Sequence, residues 1–211
     1  MKHIAIVSVA SLALLAACGQ NTESPGQTEA ANTVQDAAAA PVGQMSAATL
    51  GANTVGGYVP AAAMADMYEI QAAAIAQERS TNAEVKELAG MITRDHTDSS
   101  NKLKSMAPTA APDVTLPTEL DERRQGMLDN LRSAPAADFD RVYLQQQVAA
   151  HQEALTLHRG FSDNADAPQL AGLAREVVPK IEMHLQHAQR LMDGMNPVSY
   201  THLRAHETRG N

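Results

Sequence analysis

The chain of 211 residues contains 16 Lys and Arg against 24 Asp and Glu, which gives a net charge of −8 at pH 7. Aromatic residues make up 3% of the chain, and this is too few for an aromatic platform that stacks on sugars. The acidic balance and the lack of a basic patch with interleaved aromatics argue against a nucleic-acid binder. The length fits one folded domain with flanking segments.

The first residues have the features of an exported bacterial lipoprotein. Lys2 supplies a positive start, and Ile4–Leu15 form an apolar run of about a dozen residues, which is too short to span a bilayer. The run ends in Leu15-Ala16-Ala17-Cys18, the lipobox pattern of lipoprotein precursors. Cys18 is the only cysteine of the chain, and it stands where lipidation requires it. We therefore predict a signal peptide over residues 1–17 and a lipid anchor on Cys18, with the membrane as partner.

Residues 18–57 are predicted to be the lipidated cysteine and a disordered tether. The segment from Gly19 to about Gln44 is rich in Ala, Gln, Asn, Thr, Gly and Pro and has few large apolar residues. Such a segment cannot bury enough surface to offset the entropy that ordering would cost. Gly19, rather than an acidic residue, after the cysteine favours forwarding to the outer membrane, facing the periplasm.

Residues 197–211 are predicted to be an artefactual tail. The run Pro197–Thr208 resembles the translation of a transposase sequencing adapter, so His202 and His206 are excluded as metal ligands. Without this tail and the signal peptide, 13 basic and 23 acidic residues remain, a net charge of −10. Such a surface offers no polybasic attraction to anionic lipid or nucleic acid.

The remaining residues, 58–196, are predicted to form one all-α domain. Apolar residues recur at helical spacing in four long segments, and no segment shows the alternation of a strand. A Pro-rich stretch and a short helix separate the second long segment from the third. This pattern predicts a ferritin-like four-helix bundle with a long crossover that contains a short extra helix. The predicted helices run from Pro60 to about Arg79, from residue 83 to about Met106, from Thr118 to Leu131, from after Pro135 to about residue 163, and from about Leu170 to Leu191.

Several motifs of this domain resemble a known family of the bacterial envelope, called domain of unknown function 4142. They are Glu69 in the first helix, VKELAGMITRDHT around Asp95-His96, FDRVYLQQQVAAH from Phe139 to His151, and VVPKIEMHLQHAQRL around His184. The resemblance covers about Met64 to Met192 in the right order. It implies a ferritin-like bundle in an exported protein, and it implies almost no biochemistry.

Polar residues interrupt the apolar stripes at one level of the predicted bundle. Glu69 does so in the first helix, and His96, His151 and His184 do so in three others. When the chain is folded back at the turn near residue 81, Glu69 falls within about one helical turn of His96. Folding it back near residue 166 brings His151 within about one turn of His184. All four are therefore expected to face inward about halfway along the bundle. Asp95, His158 and His187 are candidates of second rank.

This polar layer has two interpretations. It is either a hydrogen-bonded network that fixes helix register, with Asp95, Tyr143 and Gln147 as partners, or a site for a single divalent metal. Three imidazoles and a carboxylate suit zinc or copper better than iron. A di-iron centre is disfavoured because Thr93 and Ile181 stand where the two Glu-x-x-His pairs would need Glu.

Two classes of function remain open at this level. One is an anchored interaction module without chemistry, whose partner protein the sequence does not identify. The other is a metal-binding bundle for storage, sensing or detoxification. Enzyme signatures such as a phosphate loop, G-x-S-x-G or H-E-x-x-H are absent from the sequence, so an enzyme is not the expected class.

The lipid anchor leads to a direct prediction. Cys18→Ser removes the thiol that would be acylated, so the protein should change from membrane-bound to unprocessed or released. Fractionation of cells and mass measurement of the mature protein check this. A serine variant that matures normally and stays with the membranes contradicts the lipobox interpretation.

Overall fold

The structure, a computed structural model, describes residues 29–51 and 53–195. Within these ranges it contains six α-helices, one π-helical turn and no strand, which confirms the all-α prediction. None of the helices described is long and apolar enough to cross a membrane. The predicted signal peptide, Cys18 and the tail from residue 197 lie outside the described residues. The elements are α1 (Glu29–Ser46), the π-helical turn (Ala47–Gly51), α2 (Val55–Arg79), α3 (Ala83–Ala110), α4 (Glu122–Ser133), α5 (Phe139–Phe161) and α6 (Pro168–Met195).

The four long helices α2, α3, α5 and α6 form the predicted bundle. α2 and α6 each pack against both α3 and α5. Tyr58 at the start of α2 stacks on Phe161 at the end of α5, with ring centroids 3.9 Å apart, so these two neighbours are antiparallel. α3 and α5 therefore run in the same direction, and the segment between them must return along the length of the bundle. This long crossover carries α4, as the sequence predicts.

Side-chain caps set the starts of three helices. Thr54 accepts a hydrogen bond from the N–H of Gly57 at 3.0 Å, so α2 begins before Pro60, where the sequence analysis placed its start. Asn82 caps α3 in the same way. The predicted start of α4 at Thr118 is wrong. The helix begins after Asp121, whose carboxylate accepts a hydrogen bond from the N–H of Arg124 at 2.7 Å.

The core of the bundle consists of two apolar clusters with a polar layer between them. One cluster contains Tyr68, Leu88, Ile92, Leu128, Phe139 and Leu144, and the other contains Tyr58, Leu103, Phe161, Leu170, Val177 and Ile181. Seven buried polar residues lie near the boundary between these clusters: Asp66 and Glu69 on α2, His96 and Ser99 on α3, Gln147 and His151 on α5, and His184 on α6. The candidate site therefore occupies the middle of the bundle.

The prediction of a disordered tether does not hold over residues 29–46, which form α1. This helix lies along α4 and α5, and its polar residues find partners there. Asn32 donates to the hydroxyl of Ser133 at 3.2 Å, and Thr156 donates to the side-chain carbonyl of Gln44 at 2.7 Å. The sequence analysis overlooked that the Ala-rich composition has a high helix propensity and needs little entropy to order its side chains.

Gly43 allows this close approach of α1 to α5. A Cβ at this position would lie 1.9 Å from Oε2 of Glu153, which is held by the guanidinium of Arg123 at 2.9 and 3.0 Å. Any larger residue would have to push α1 outward or break that ion pair.

Arg79 at the end of α2 forms hydrogen bonds with the crossover. Its guanidinium donates to the carbonyl of Leu131 at 2.6 Å, to that of Arg132 at 2.7 Å and to that of Ala134 at 2.6 Å. The same group lies 4.7 Å from the centroid of the Phe139 ring. One planar cation thus satisfies carbonyls at the end of α4 and covers the first residue of α5.

Arg79→Ala should lower the free energy of unfolding by about 2–3 kcal/mol, because three carbonyls lose a charged donor. Arg132→Ala is the matched control. Its side chain is 47% exposed and pairs with Asp129 of its own helix, so its loss should cost about 0.5 kcal/mol or less. Urea unfolding followed by circular dichroism measures both. Equal effects for the two variants would contradict the assigned role of Arg79.

Candidate metal centre

Three histidines from three helices converge in the polar layer. His96 of α3, His151 of α5 and His184 of α6 each present a ring nitrogen, and these three atoms lie within 4.8 Å of one another. Their ring centroids are 5.4–5.8 Å apart. The residues are 5%, 0% and 0% exposed, so the donors are removed from bulk water. The predicted convergence of these histidines is what the structure shows, and such a buried triad could hold a metal ion.

The second nitrogen of each ring is fixed by an acceptor. Nδ1 of His96 lies 2.8 Å from Oδ1 of Asp66, and Nε2 of His184 lies 3.0 Å from Oδ2 of Asp95. Nδ1 of His151 lies 2.9 Å from the carbonyl oxygen of Gln147, one helical turn earlier. A carbonyl can only accept, so Nδ1 of His151 carries the proton, and the two carboxylates favour the same role for their partners. This arrangement fixes both tautomer and ring orientation.

The nitrogens that remain are the ones without a protein partner. Nε2 of His96, Nε2 of His151 and Nδ1 of His184 are buried and accept no hydrogen bond within the described part of the chain. Leaving a buried polar atom unsatisfied costs about 1–3 kcal/mol, so native proteins rarely do so without a reason. When the ring is neutral and its opposite nitrogen donates, each of these atoms has a lone pair available for a ligand. Such a triad could hold a metal ion, and the hydrogen bonds on the opposite nitrogens also suit a network that fixes helix register.

The electrostatic environment keeps two of the three rings neutral. Burial lowers the pKa of His151 well below its ordinary value, and burial together with the neighbouring His96 lowers the pKa of His184 to about 4. Burial also acts to lower the pKa of His96, but the hydrogen bond and the charge of Asp66 outweigh it, and that pKa is raised. Metals bind the neutral form of imidazole, which is the form that His151 and His184 adopt near neutral pH.

Glu69, predicted as the fourth donor, is buried in the layer but does not join the donor triad. Its Oε1 lies 3.5 Å from Nδ1 of His151, the nitrogen that faces away from the unpartnered one. Burial raises the pKa of Glu69 to about 7. It thus approaches the same nitrogen that donates to the carbonyl of Gln147, at a longer distance than that hydrogen bond.

The candidates of second rank fall at different places. Asp95 is half-buried and orients His184, as described above. His158 is buried but lies outside the triad, since its Nδ1 pairs with the hydroxyl of Tyr58 at 2.9 Å, and burial lowers its pKa to about 3. His187 is partly exposed on α6 and is not one of the converging donors.

Asp66 is the functional residue that sequence reasoning missed. It is 3% exposed and holds His96, yet the sequence analysis proposed only Asp95, Tyr143 and Gln147 as partners. Its position three residues before Glu69 places both carboxylates on one face of α2. That spacing in an otherwise Ala- and Met-rich segment was the available signal.

A narrow crevice between α3 and α6 leads to the triad from the surface. Asp66, His96 and His184 line its inner part. At its outer part, Nζ of Lys180 lies 3.7 Å from Oδ1 of Asp95, and both side chains are about one-third exposed or less.

The fold and the site define an α-helical bundle with a buried histidine triad at its middle. A family profile described as "Domain of unknown function (DUF4142)" matches residues 40–191. The chain belongs to this family, which confirms the resemblance seen in the sequence. No curated protein and no solved structure matches the chain.

Proposed function

We propose that this protein is a metal-binding bundle of the bacterial envelope, in which His96, His151 and His184 hold a single zinc or copper ion. The observation that supports this most strongly is that the two nitrogens of each imidazole have different environments. One nitrogen is held by Asp66, the Gln147 carbonyl or Asp95, and the other is buried and unpartnered. The three rings also bring one nitrogen each within 4.8 Å of the others. Carboxylates and carbonyls behind metal-bound histidines are the common second layer of such sites.

The dimensions of the triad are compatible with this proposal. Imidazole nitrogens bind zinc at about 2.0–2.1 Å, which in a tetrahedral site puts two nitrogens about 3.3–3.4 Å apart. The three donors already lie within 4.8 Å of one another, so small side-chain rotations would bring them onto one ion. Nitrogen donors favour zinc and copper over iron in a site that lacks a ligating carboxylate.

Holding a metal, rather than catalysis, fits the surroundings of the triad. The ring of His151 is fully buried, and apolar clusters close the layer at both ends. A narrow crevice admits an ion more readily than an organic substrate. With the anchor predicted at Cys18, this function would be carried out at a membrane surface, for storage, sensing or detoxification of metal.

Removing one donor tests the proposal. His151→Ala should abolish zinc binding in calorimetry, together with the rise in melting temperature that zinc gives the wild-type protein. At a free zinc concentration of one hundred times Kd, that rise corresponds to about 2.7 kcal/mol. The control is His158→Ala, which removes an equally buried imidazole from the same helix. It should lower stability without metal but leave zinc affinity within about threefold.

Two results would contradict the proposal. One is a wild-type protein that binds neither zinc nor copper after metal has been removed with a chelator. The other is equal loss of zinc affinity in the two alanine variants, since this would place the metal away from the triad. In either case the anchored interaction module would be the better description.

A further inference from the structure

A second cavity lies on the opposite side of α5 from the triad, in the belt formed by α1 and α4. Its volume is about 380 Å³, within the range of pockets for small organic molecules. Apolar side chains make up most of its walls, among them Ala37 and Ala40 of α1, Met127 of α4, and Val142 and Ala149 of α5. None of the triad residues lines it, so it is a separate site.

One charged group, Asp36, faces this cavity. Its Oδ1 accepts from the amide of Asn130 at 2.8 Å, and its Oδ2 accepts from the amide of Gln146 at 2.6 Å. Because both oxygens accept, the contacts match the ionised carboxylate. A carboxylate can accept further hydrogen bonds beyond these two, so capacity remains for a donor from a ligand.

The partners of Asp36 are themselves held in place. The side-chain carbonyl of Gln146 accepts from the hydroxyl of Tyr68 at 3.0 Å, and its amide also donates to the backbone carbonyl of Met127 at 3.0 Å. These contacts determine which end of the Gln146 amide faces Asp36. The carboxylate is therefore oriented before any ligand arrives.

No cation in the described part of the chain pairs with Asp36. Arg123 and Arg124 of α4 both direct their guanidinium groups to Glu153, at 2.9 and 2.6 Å. Burial raises the pKa of Asp36, which the two amides only partly offset. An anion in a largely apolar cavity, bonded only to neutral amides, is complementary to a positively charged ligand.

We propose that this cavity is a binding site for a small organic cation, an amine with an apolar body, whose ammonium group pairs with Asp36. The apolar walls from α1, α4 and α5 would cover the body of the ligand, and Asp36 would give selectivity for positive charge. This proposal does not depend on metal binding, since the two sites share no residue.

The proposed cation site can be tested with three probes of matched shape: 4-phenylbutylamine, 4-phenylbutanol and 4-phenylbutyrate. Each is titrated into the full protein, and binding is followed by calorimetry or NMR. The amine should bind about tenfold or more tightly than the alcohol, and the carboxylate should bind most weakly. Asp36→Asn should remove the preference of amine over alcohol. Asp98→Asn, an exposed carboxylate of α3, is the control and should keep it.

Ala149→Phe, which fills the cavity from α5, should weaken binding of all three probes and leave zinc binding intact. Equal affinity of the amine and the alcohol for the wild-type protein would overturn the proposal, and so would an Asp36→Asn variant that keeps the preference. Failure of all three probes to bind at millimolar concentration would overturn it as well. The wild-type comparison needs no variant, so it stands even if a substitution prevents folding.

Discussion

The burial of polar groups halfway along the bundle is the constraint on which the rest of the structure depends. Buried imidazoles and carboxylates need hydrogen-bond partners, and most of the partners here come from neighbouring helices. Asp66 and His96 join α2 to α3, Asp95 and His184 join α3 to α6, and Glu69 approaches His151 across α2 and α5. A shift of any of these helices by one turn would leave charged or polar groups unpaired in the core. The layer therefore fixes the register of all four helices.

The same contacts that fix register also arrange the donors. Each ring uses one nitrogen for its partner, and the opposite nitrogen has no partner within the described residues. The apolar clusters on both sides restrict the movement of the rings and keep water out. α1 and α4 cover the bundle at α2 and α5, where Arg123 and Arg124 hold Glu153. A narrow crevice between α3 and α6 is lined by His96 and His184. Structure and proposed metal binding thus use the same residues.

Much of this arrangement could be predicted from the sequence, for physical reasons. Apolar periodicity and Pro-rich breaks were enough to predict the four helices and the crossover. Folding the chain back at its turns predicted that His96, His151 and His184 lie at one height in the bundle. The role of Glu69 could not be predicted. Height along a helix does not determine which nitrogen of His151 a carboxylate approaches. Asp66 was missed because its hydrogen bond to His96 joins two helices, and the sequence analysis did not consider its spacing from Glu69 on α2. α1 was missed because the sequence analysis considered the shortage of large apolar residues and overlooked the high helix propensity of Ala. Its packing on α4 and α5 could not be seen in the composition.

X-ray absorption at the zinc edge of the zinc-loaded protein tests the central claim most directly, because it measures the ligands themselves. Three nitrogen scatterers at about 2.0–2.1 Å, with the outer-shell pattern of imidazole rings, are the predicted result. The His158→Ala protein should give the same spectrum, because that residue pairs with Tyr58 outside the triad. A first shell of oxygen or sulfur, or a spectrum with one imidazole or none, would show that zinc binds elsewhere and would contradict the assignment of the triad as the metal centre.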